Sequence, residues 1–321
     1  MKTVLVTGGL GFVGSNLVEL LLGEWDCRVT VLDDLSTGNA EHLDRGTYEL
    51  VEGSVTDEGL VRETIRGKDV VFHLAARNII ASTANPLDDM NVNVRGTFNV
   101  LSCCNELGVP RVVYTSTSSI YGNSKVLPVH EETLPFFLNF YSVSKFAGEA
   151  YAQTFAHAYR LPVNVVRYSN VYGPNQSDRN PYCGVVGKFI SSALAGTDIV
   201  IHGDGEQTRD FTYVDDACAA TLAAASDTRA LGGVFNIATG VETSVNHLAA
   251  TILDLTGSSS AIKHVGIRDI DNIRRRVLNI DRASVSLGYA PKFSLRDGLA
   301  RTIEWYAEHL SENPRNHSVQ S

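Results

Sequence analysis

Val4-Leu5-Val6-Thr7-Gly8-Gly9-Leu10-Gly11-Phe12-Val13-Gly14 is the stretch whose reading decides the fold. It reads as a strand, a glycine-rich turn and the start of a helix. Gly8, Gly11 and Gly14 form G-x-x-G-x-x-G. In such a turn the first glycine allows the tight bend and the second lets the backbone approach a pyrophosphate. The third lets the helix pack close to the strand. The helix N-terminus then offers unbonded N–H groups and a positive dipole end to phosphates. Alone, such a motif is weak evidence, and a glycine turn with no ligand is the bland alternative. Here it opens a series of strand–helix units.

Short apolar runs follow at Arg28–Leu32, Val70–His73, Arg111–Thr115 and Val163–Arg167, after the first at Thr3–Thr7. They show little period-2 alternation, as expected of strands covered on both faces. Helical patterns separate them at Phe12–Leu22, Asp57–Ile65, Pro86–Leu107 and Tyr141–Tyr159. Strands alternating with helices imply right-handed crossovers and a parallel sheet. Ser169–Tyr182, rich in Asn, Pro, Gly and Ser, reads as a long loop, and long loops in compact domains are usually functional. Further helices are expected near Val185–Ala195, Val214–Ala225 and Val245–Leu255, with strands at Ile199–His202 and Val234–Ile237. The chain from about Asn313 reads as a disordered tail.

The 321 residues, 44% of them hydrophobic, are enough for a full core. A formal charge of −9 argues against non-specific nucleic-acid binding, which draws its affinity from neutralising phosphates. Five cysteines without C-x-x-C or Cys/His spacing read as reduced thiols, with no metal site. The N-terminus reads as a strand entering a loop rather than a signal peptide. No segment approaches the roughly 20 apolar residues that span a bilayer. A cytoplasmic protein is expected.

The second strand ends at Asp33-Asp34, about 20 residues past the glycines, where a carboxylate hydrogen-bonds ribose hydroxyls. A carboxylate there repels a 2′-phosphate, and no Arg or Lys follows until Arg45, so NAD is expected over NADP. Tyr141 and Lys145 stand four apart on an expected helix and share a face. A free tyrosine is a poor base at neutral pH. A nearby lysine ammonium, together with the positive nicotinamide ring, favours its phenolate and is expected to lower its pKa.

Together these stretches resemble the extended short-chain dehydrogenase/reductase family, whose members epimerise, dehydrate or decarboxylate nucleotide sugars. Thr7–Gly14, with Phe12 and Val13, is similar to T-G-G-x-G-F-x-G, and Asp33–Gly38, with Ser36 and Thr37, to D-N-L-S-T-G. His73-Leu74-Ala75-Ala76 resembles the H-x-A-A that walls the nicotinamide side, and Asn93 the family's helix asparagine near the cofactor. Ser116–Gly122 resembles S-[ST]-x-x-x-Y-G, Tyr141–Lys145 is Y-x-x-x-K, and Arg167–Pro174 reads R-Y-S-N-V-Y-G-P. Gly203–Asp216 completes the set, so the likeness runs from residue 3 to about residue 216. Where many members carry an adenine-binding Asp, this chain has Ser54, followed by Val55.

The resemblance implies an α/β fold: a Rossmann-type doubly wound parallel sheet with a smaller C-terminal substrate-binding α/β lobe. The NAD-binding lobe would span residues 1–168 with a return segment at about 211–240, and the UDP-sugar lobe residues 169–321. Tyr141 would be the base, Lys145 its partner at the ribose, and Thr117 the hydroxyl bridging substrate O4 and Tyr141. Tyr168 would lie at the cofactor. Dehydratases of the family follow the Thr with an acidic pair, and decarboxylases place a Glu two positions on. Here Ser118 and Ser119 stand there, with Ser118 kept in the catalytic set. Simple 4-epimerisation of a UDP-hexose is therefore implied over dehydration or decarboxylation. A non-catalytic NAD-binding regulator is the alternative from another class.

On the substrate side, Asn170 and Arg209 match the family's phosphate contacts, and an arginine's planar fork suits phosphate oxygens. Gly184 and Val185 would pass the uridine. Arg268 is read as a second diphosphate arginine and Arg276 as lying near the position that gates sugar size. Arg274 and Arg275 read equally as a solvated charged segment. Arg179 reads either as an exposed loop arginine or as the partner of a sugar carboxylate, which sets UDP-glucuronate beside UDP-glucose and UDP-N-acetylglucosamine. The resemblance also implies a homodimer, joined through Pro86–Leu107 and Tyr141–Tyr159.

Overall fold

The computed structural model describes residues 1–176, 184–226, 232–267 and 273–312. In chain order come β1 (Lys2–Thr7), α1 (Phe12–Glu24), β2 (Cys27–Asp33), β3 (Glu49–Glu52), α2 (Glu58–Ile65) and β4 (Val70–His73), with β3 not among the expected strands. Then come α3 (Ile79–Ala84), α4 (Pro86–Asp89), α5 (Thr97–Glu106), β5 (Val112–Thr117), α6 (Phe140–Tyr159) and β6 (Val163–Tyr168). The second half holds β7 (Asn170–Tyr172), α7 (Val185–Leu194), β8 (Ile199–His202), β9 (Thr208–Arg209), β10 (Phe211–Tyr213) and α8 (Val214–Ser226). It ends with β11 (Val234–Ile237), β12 (Thr243–Ser244), α9 (Val245–Thr256), β13 (Ile262–Val265), α10 (Asp281–Leu287) and α11 (Leu295–Glu312).

Seven parallel strands form the central sheet in the order β11-β6-β5-β4-β1-β2-β3. The winding reverses between β1 and β4, and this is where open α/β sheets bind ligands. The first strand explains why no polar alternation is seen. Val4 and Val6 pack with Leu17 and Leu21 of α1 on one face, while Leu5 packs with Val61, Val100 and Leu101 on the other. Each fully buried side chain of this size contributes about 1.5–3 kcal/mol. After the excursion through β7–β10, β11 pairs with β6, returning the chain to the sheet.

Three expectations are corrected. Pro86–Leu107 is not one helix: α4 passes into α5 through a π-helical turn over Met90–Gly96. In that turn the Thr97 hydroxyl donates to the Asn93 carbonyl at 2.7 Å, and such wider turns recur at functional sites. The segment read as a loop at Ser169–Tyr182 contains β7, paired in parallel with β10; residues 177–183, including Arg179, lie outside the described residues. Three helices, α3, α10 and α11, stand where none was expected. The last residues, from Asn313, also lie outside the described residues.

Candidate active site

A cleft of about 1240 Å³ runs along the C-terminal ends of the strands at the switch point. Its floor is the glycine turn. Gly8 has φ +70°, and a Cβ there would sit 2.7 Å from the Ala75 nitrogen. A Cβ on Gly14 would lie 2.0 Å from the Gly8 carbonyl oxygen, so helix and turn meet at backbone distance. Gly11 caps α1 without a side-chain hydrogen bond, and the first turn of α1 carries no acidic residue. The orphan N–H groups of α1 are thus left for an anion.

At the end of β2, the Asp33 carboxylate accepts from the Leu10 and Leu35 N–H groups, each at 2.9 Å. Burial pushes its pKa up and those two bonds pull it back. Burial works against the Asp34 carboxylate too, but hydrogen bonds from Ser36 and Arg77 outweigh it and hold that pKa below the usual range. Arg77 is the residue sequence reasoning missed. Its Nη2 lies 3.0 Å from Asp34, its Nε 2.6 Å from Asp88, and its Nη1 donates to Ser36 Oγ at 2.6 Å. The spacing argument that found no cation before Arg45 overlooked it, because the fold carries it in from beyond β4. Two carboxylates hold this guanidinium beside the acidic end of β2.

Helix α6 brings Tyr141 and Lys145 into the cleft. The Asn139 side chain caps it, accepting from Ser142 N at 2.8 Å. Lys145 is 2% exposed, with Nζ 4.4 Å from the centre of the Tyr114 ring. Burial lowers its pKa to about 7, opposed by Asp89 and Glu149. Burial lifts the Tyr141 phenol to about 12, and a hydrogen bond from Thr117 pulls it down. Burial thus dominates both groups here, while the expected lowering of the Tyr141 pKa rests on Lys145 together with the nicotinamide ring. Thr117 Oγ1 already accepts from Ser119 N at 3.1 Å, which leaves its proton for the tyrosine oxygen. His73 is no base here. Burial, helped by Lys145, lowers its pKa to about 3, and its ring nitrogens meet Thr7 Oγ1 at 2.7 Å and Thr97 Oγ1 at 2.9 Å.

Of the residues expected at the cofactor, Gly8, Gly11, Phe12, Val13, Gly14, Asp33, Asp34, Ser36 and Thr37 line the cleft. So do Ser54, Val55, Leu74, Ala75, Ala76, Tyr141, Lys145 and Tyr168. Gly38 packs behind Asp33, where a Cβ would come within 2.8 Å of Oδ1. Asn93 is fully buried behind the wall, its Oδ1 accepting from Arg77 N at 2.7 Å. Ser118 is buried in the short turn after β5. An uncapped helix, a glycine cradle, a ribose-height carboxylate and an apolar wall fit a dinucleotide. Ser116 Oγ and Gln176 Oε1, both buried and without hydrogen-bond partners, belong to lining residues.

On the substrate side, Gly184 lines the cleft and caps α7, which Val185 begins, without a side-chain bond. Asn170 carries a buried Oδ1 with no hydrogen-bond partner. Arg209 donates to the carbonyls of Thr208 and Ile273, each at 2.8 Å. Of the arginine run, Arg276 is buried, whereas Arg274 and Arg275 are exposed and pair with Asp204 and Glu242. Arg268 lies outside the described residues. Three further lining features escaped the sequence reading. Trp305 and Tyr306 come from α11, and Asn175–Gln176 is fixed to α1 by an Asn175–Ser15 bond at 3.1 Å.

A family model described as NAD dependent epimerase/dehydratase matches residues 4–238. A putative UDP-glucose 4-epimerase of Methanocaldococcus jannaschii is 37% identical over 94% of this chain and 97% of its own. A UDP-N-acetyl-alpha-D-glucosaminuronate decarboxylase of Bacillus cytotoxicus is 35% identical over 96% and 98%. Among solved structures, UDP-glucose 4-epimerase of Thermotoga maritima with UDP-glucose superposes with TM-score 0.91 at 36% identity, covering 96% of this chain and 99% of that one.

The Arg77 clamp predicts how the chain tells its cofactors apart. Asp34→Ala removes a repelling carboxylate and releases Arg77 from one of its two partners. Incubated with equal NAD and NADP, then denatured and its nucleotide analysed, the variant should retain roughly tenfold more NADP relative to NAD than the parent. An unchanged ratio would show that Asp34 does not discriminate.

Proposed function

The chain belongs to the NAD-dependent epimerase/dehydratase family, enzymes acting on nucleotide sugars, and we propose that it is a UDP-hexose 4-epimerase. The observation that carries this reading is the company Tyr141 keeps. Among the described residues, the carboxylates lining the cleft are Asp33, Asp34 and Glu41, which come from β2 and the loop beyond it. The positions after Thr117 are Ser118 and Ser119. A 4,6-elimination needs an acid for the leaving oxygen and a base at C5. Tyr141, Thr117 and Lys145 suffice to move one proton on and off O4.

In this mechanism Tyr141 accepts the O4 proton, with the Thr117 hydroxyl steadying the phenolate. Lys145, its Nζ over the Tyr114 ring, would orient the ribose. Bound NAD would supply the hydride acceptor and then donor, and its cationic nicotinamide ring would favour the phenolate at Tyr141. The 4-keto sugar turns over between the two transfers, and Tyr141 returns the proton. The cofactor is held by residues 1–168 with the 211–240 return segment, and the UDP-sugar by the rest of the chain, including Asn170, Arg209 and Arg276. Candidate sugars are UDP-glucose, supported by the names of two relatives, UDP-N-acetylglucosamine and UDP-glucuronate.

Proton NMR of each of the three sugars with purified protein, no cofactor added, tests the reading. The 4-epimer of at least one should form, and Tyr141→Phe should slow it by on the order of 10²–10⁴. Loss of water or CO2 from the sugar would overturn 4-epimerisation.

A homodimer is part of the proposal. Leu87, Met90 and Phe98 on the α4–α5 stretch and Val143 and Tyr151 on α6 are large, apolar and exposed. Phe98 and Tyr151 lie ring against ring at 5.3 Å, so the two helical stretches present one apolar face. Light scattering should give twice the chain mass for the parent and the monomer mass for Phe98→Glu/Tyr151→Glu; a monomeric parent contradicts the dimer.

A further inference from the structure

Asp89, at the end of α4, is 2% exposed. Its Oδ1 accepts three hydrogen bonds: from the Ser82 hydroxyl, from Asn93 Nδ2 at 2.6 Å and from the Ser144 hydroxyl at 2.9 Å. Ser144 Oγ itself accepts from Asn93 at 3.0 Å, and its one proton is shared between Asp89 at 2.9 Å and the Tyr141 carbonyl at 3.1 Å. A ring of neutral donors is what an ionised carboxylate requires. The other buried carboxylate on this side, Glu149 of α6, is paired with Arg167 of β6. Among the described residues no cation stands within ion-pair distance of Asp89. A buried negative charge is costly unless a positive one compensates it. Ser144, which holds Asp89, directly precedes Lys145 on α6.

We propose that Asp89 is a positioning residue: its carboxylate, tied to α6 through Ser144, is the fixed countercharge of the Tyr141–Lys145 pair. The inference rests on the reading of Tyr141 as the proton carrier. The other groups around the pair are accounted for. His73 of β4 is neutral, Tyr114 of β5 lies under the ammonium, and Thr117 bonds the phenol. Glu149 acts on Lys145 in the same direction as Asp89 but shares its charge with Arg167, and Arg77 is held by Asp34 and Asp88. A negative charge at this place stabilises the ammonium of Lys145 and opposes the phenolate of Tyr141, as the direction of its effect on both groups agrees. With Glu149 it works against the burial that pulls the Lys145 pKa down to about 7. It also keeps Tyr141 able to give its proton back.

The sign makes the proposal testable. Asp89→Asn keeps the shape and removes the charge, so both ionisations should move to lower pH. Tyrosinate absorbance near 295 nm, measured against pH on NAD-loaded protein, isolates Tyr141 when the Tyr141→Phe trace is subtracted. Asp89→Asn should shift that titration down by roughly one pH unit, and the pH–rate profile of the sugar that turns over should move acidward on both limbs. Ser144→Ala keeps the charge and should leave the titration close to the parent's. If Asp89→Asn does not fold, Asp89→Ser removes the same charge. An unmoved titration, or an equal shift in Ser144→Ala, reduces Asp89 to a packing residue. A shifted titration with no turnover of any UDP-sugar would sustain Asp89's role while sinking the epimerase reading.

Discussion

The site depends on keeping one ammonium in the dry interior. Lys145 is almost fully removed from solvent, and burial drives its pKa toward neutrality. The surrounding structure resists that. Tyr114 presents its ring face to Nζ and its hydroxyl to the Lys145 carbonyl at 2.9 Å, fixing the same turn of α6 from two sides. Farther along α6, Glu149 locks onto Arg167, whose Nη1 also reaches the Tyr121 hydroxyl at 2.6 Å and the Glu131 carbonyl at 2.8 Å. The helix that carries Tyr141 is thereby bolted to β6 and to the turn after β5. Breaking a buried ion pair by removing one partner costs about 3–5 kcal/mol, so this clamp leaves α6 little freedom.

The doubly wound sheet supplies the rest by position. Reversal of strand order between β1 and β4 opens the crevice, and the strand ends deliver Gly8, Asp33, Leu74 and Ser116 into it. The uncapped start of α1 faces one end and the Thr117–Tyr141 hydroxyl pair the other. The Arg77 bridge from Asp34 to Asp88 ties the end of β2 to α4 beside the place a ribose takes.

Much of this was legible locally. Buried parallel strands read as unbroken apolar runs, and the glycine turn and Y-x-x-x-K are short motifs whose geometry is set within one turn or one helix. The parts that were not legible are made by long-range packing. Arg77 meets Asp34 across 43 residues, and Gln176 receives the Tyr306 hydroxyl on its carbonyl across 130. The π-turn at Met90–Gly96 hides in a sequence with ordinary helical periodicity. Helix α11 is a different case, since Leu295, Leu299, Ile303 and Tyr306 repeat at helical spacing and were readable. At Tyr141 the sequence names the neighbouring ammonium but not the depth of burial, which pushes the phenol up.

The most direct test of the account follows a label. A UDP-hexose carrying deuterium at C4, converted in ordinary water without added cofactor, should yield the 4-epimer with its deuterium still at C4, because the hydride leaves and returns within one closed site. Loss of the label to solvent, or a product lighter by water or CO2, would contradict a hydride shuttle confined to O4 and C4.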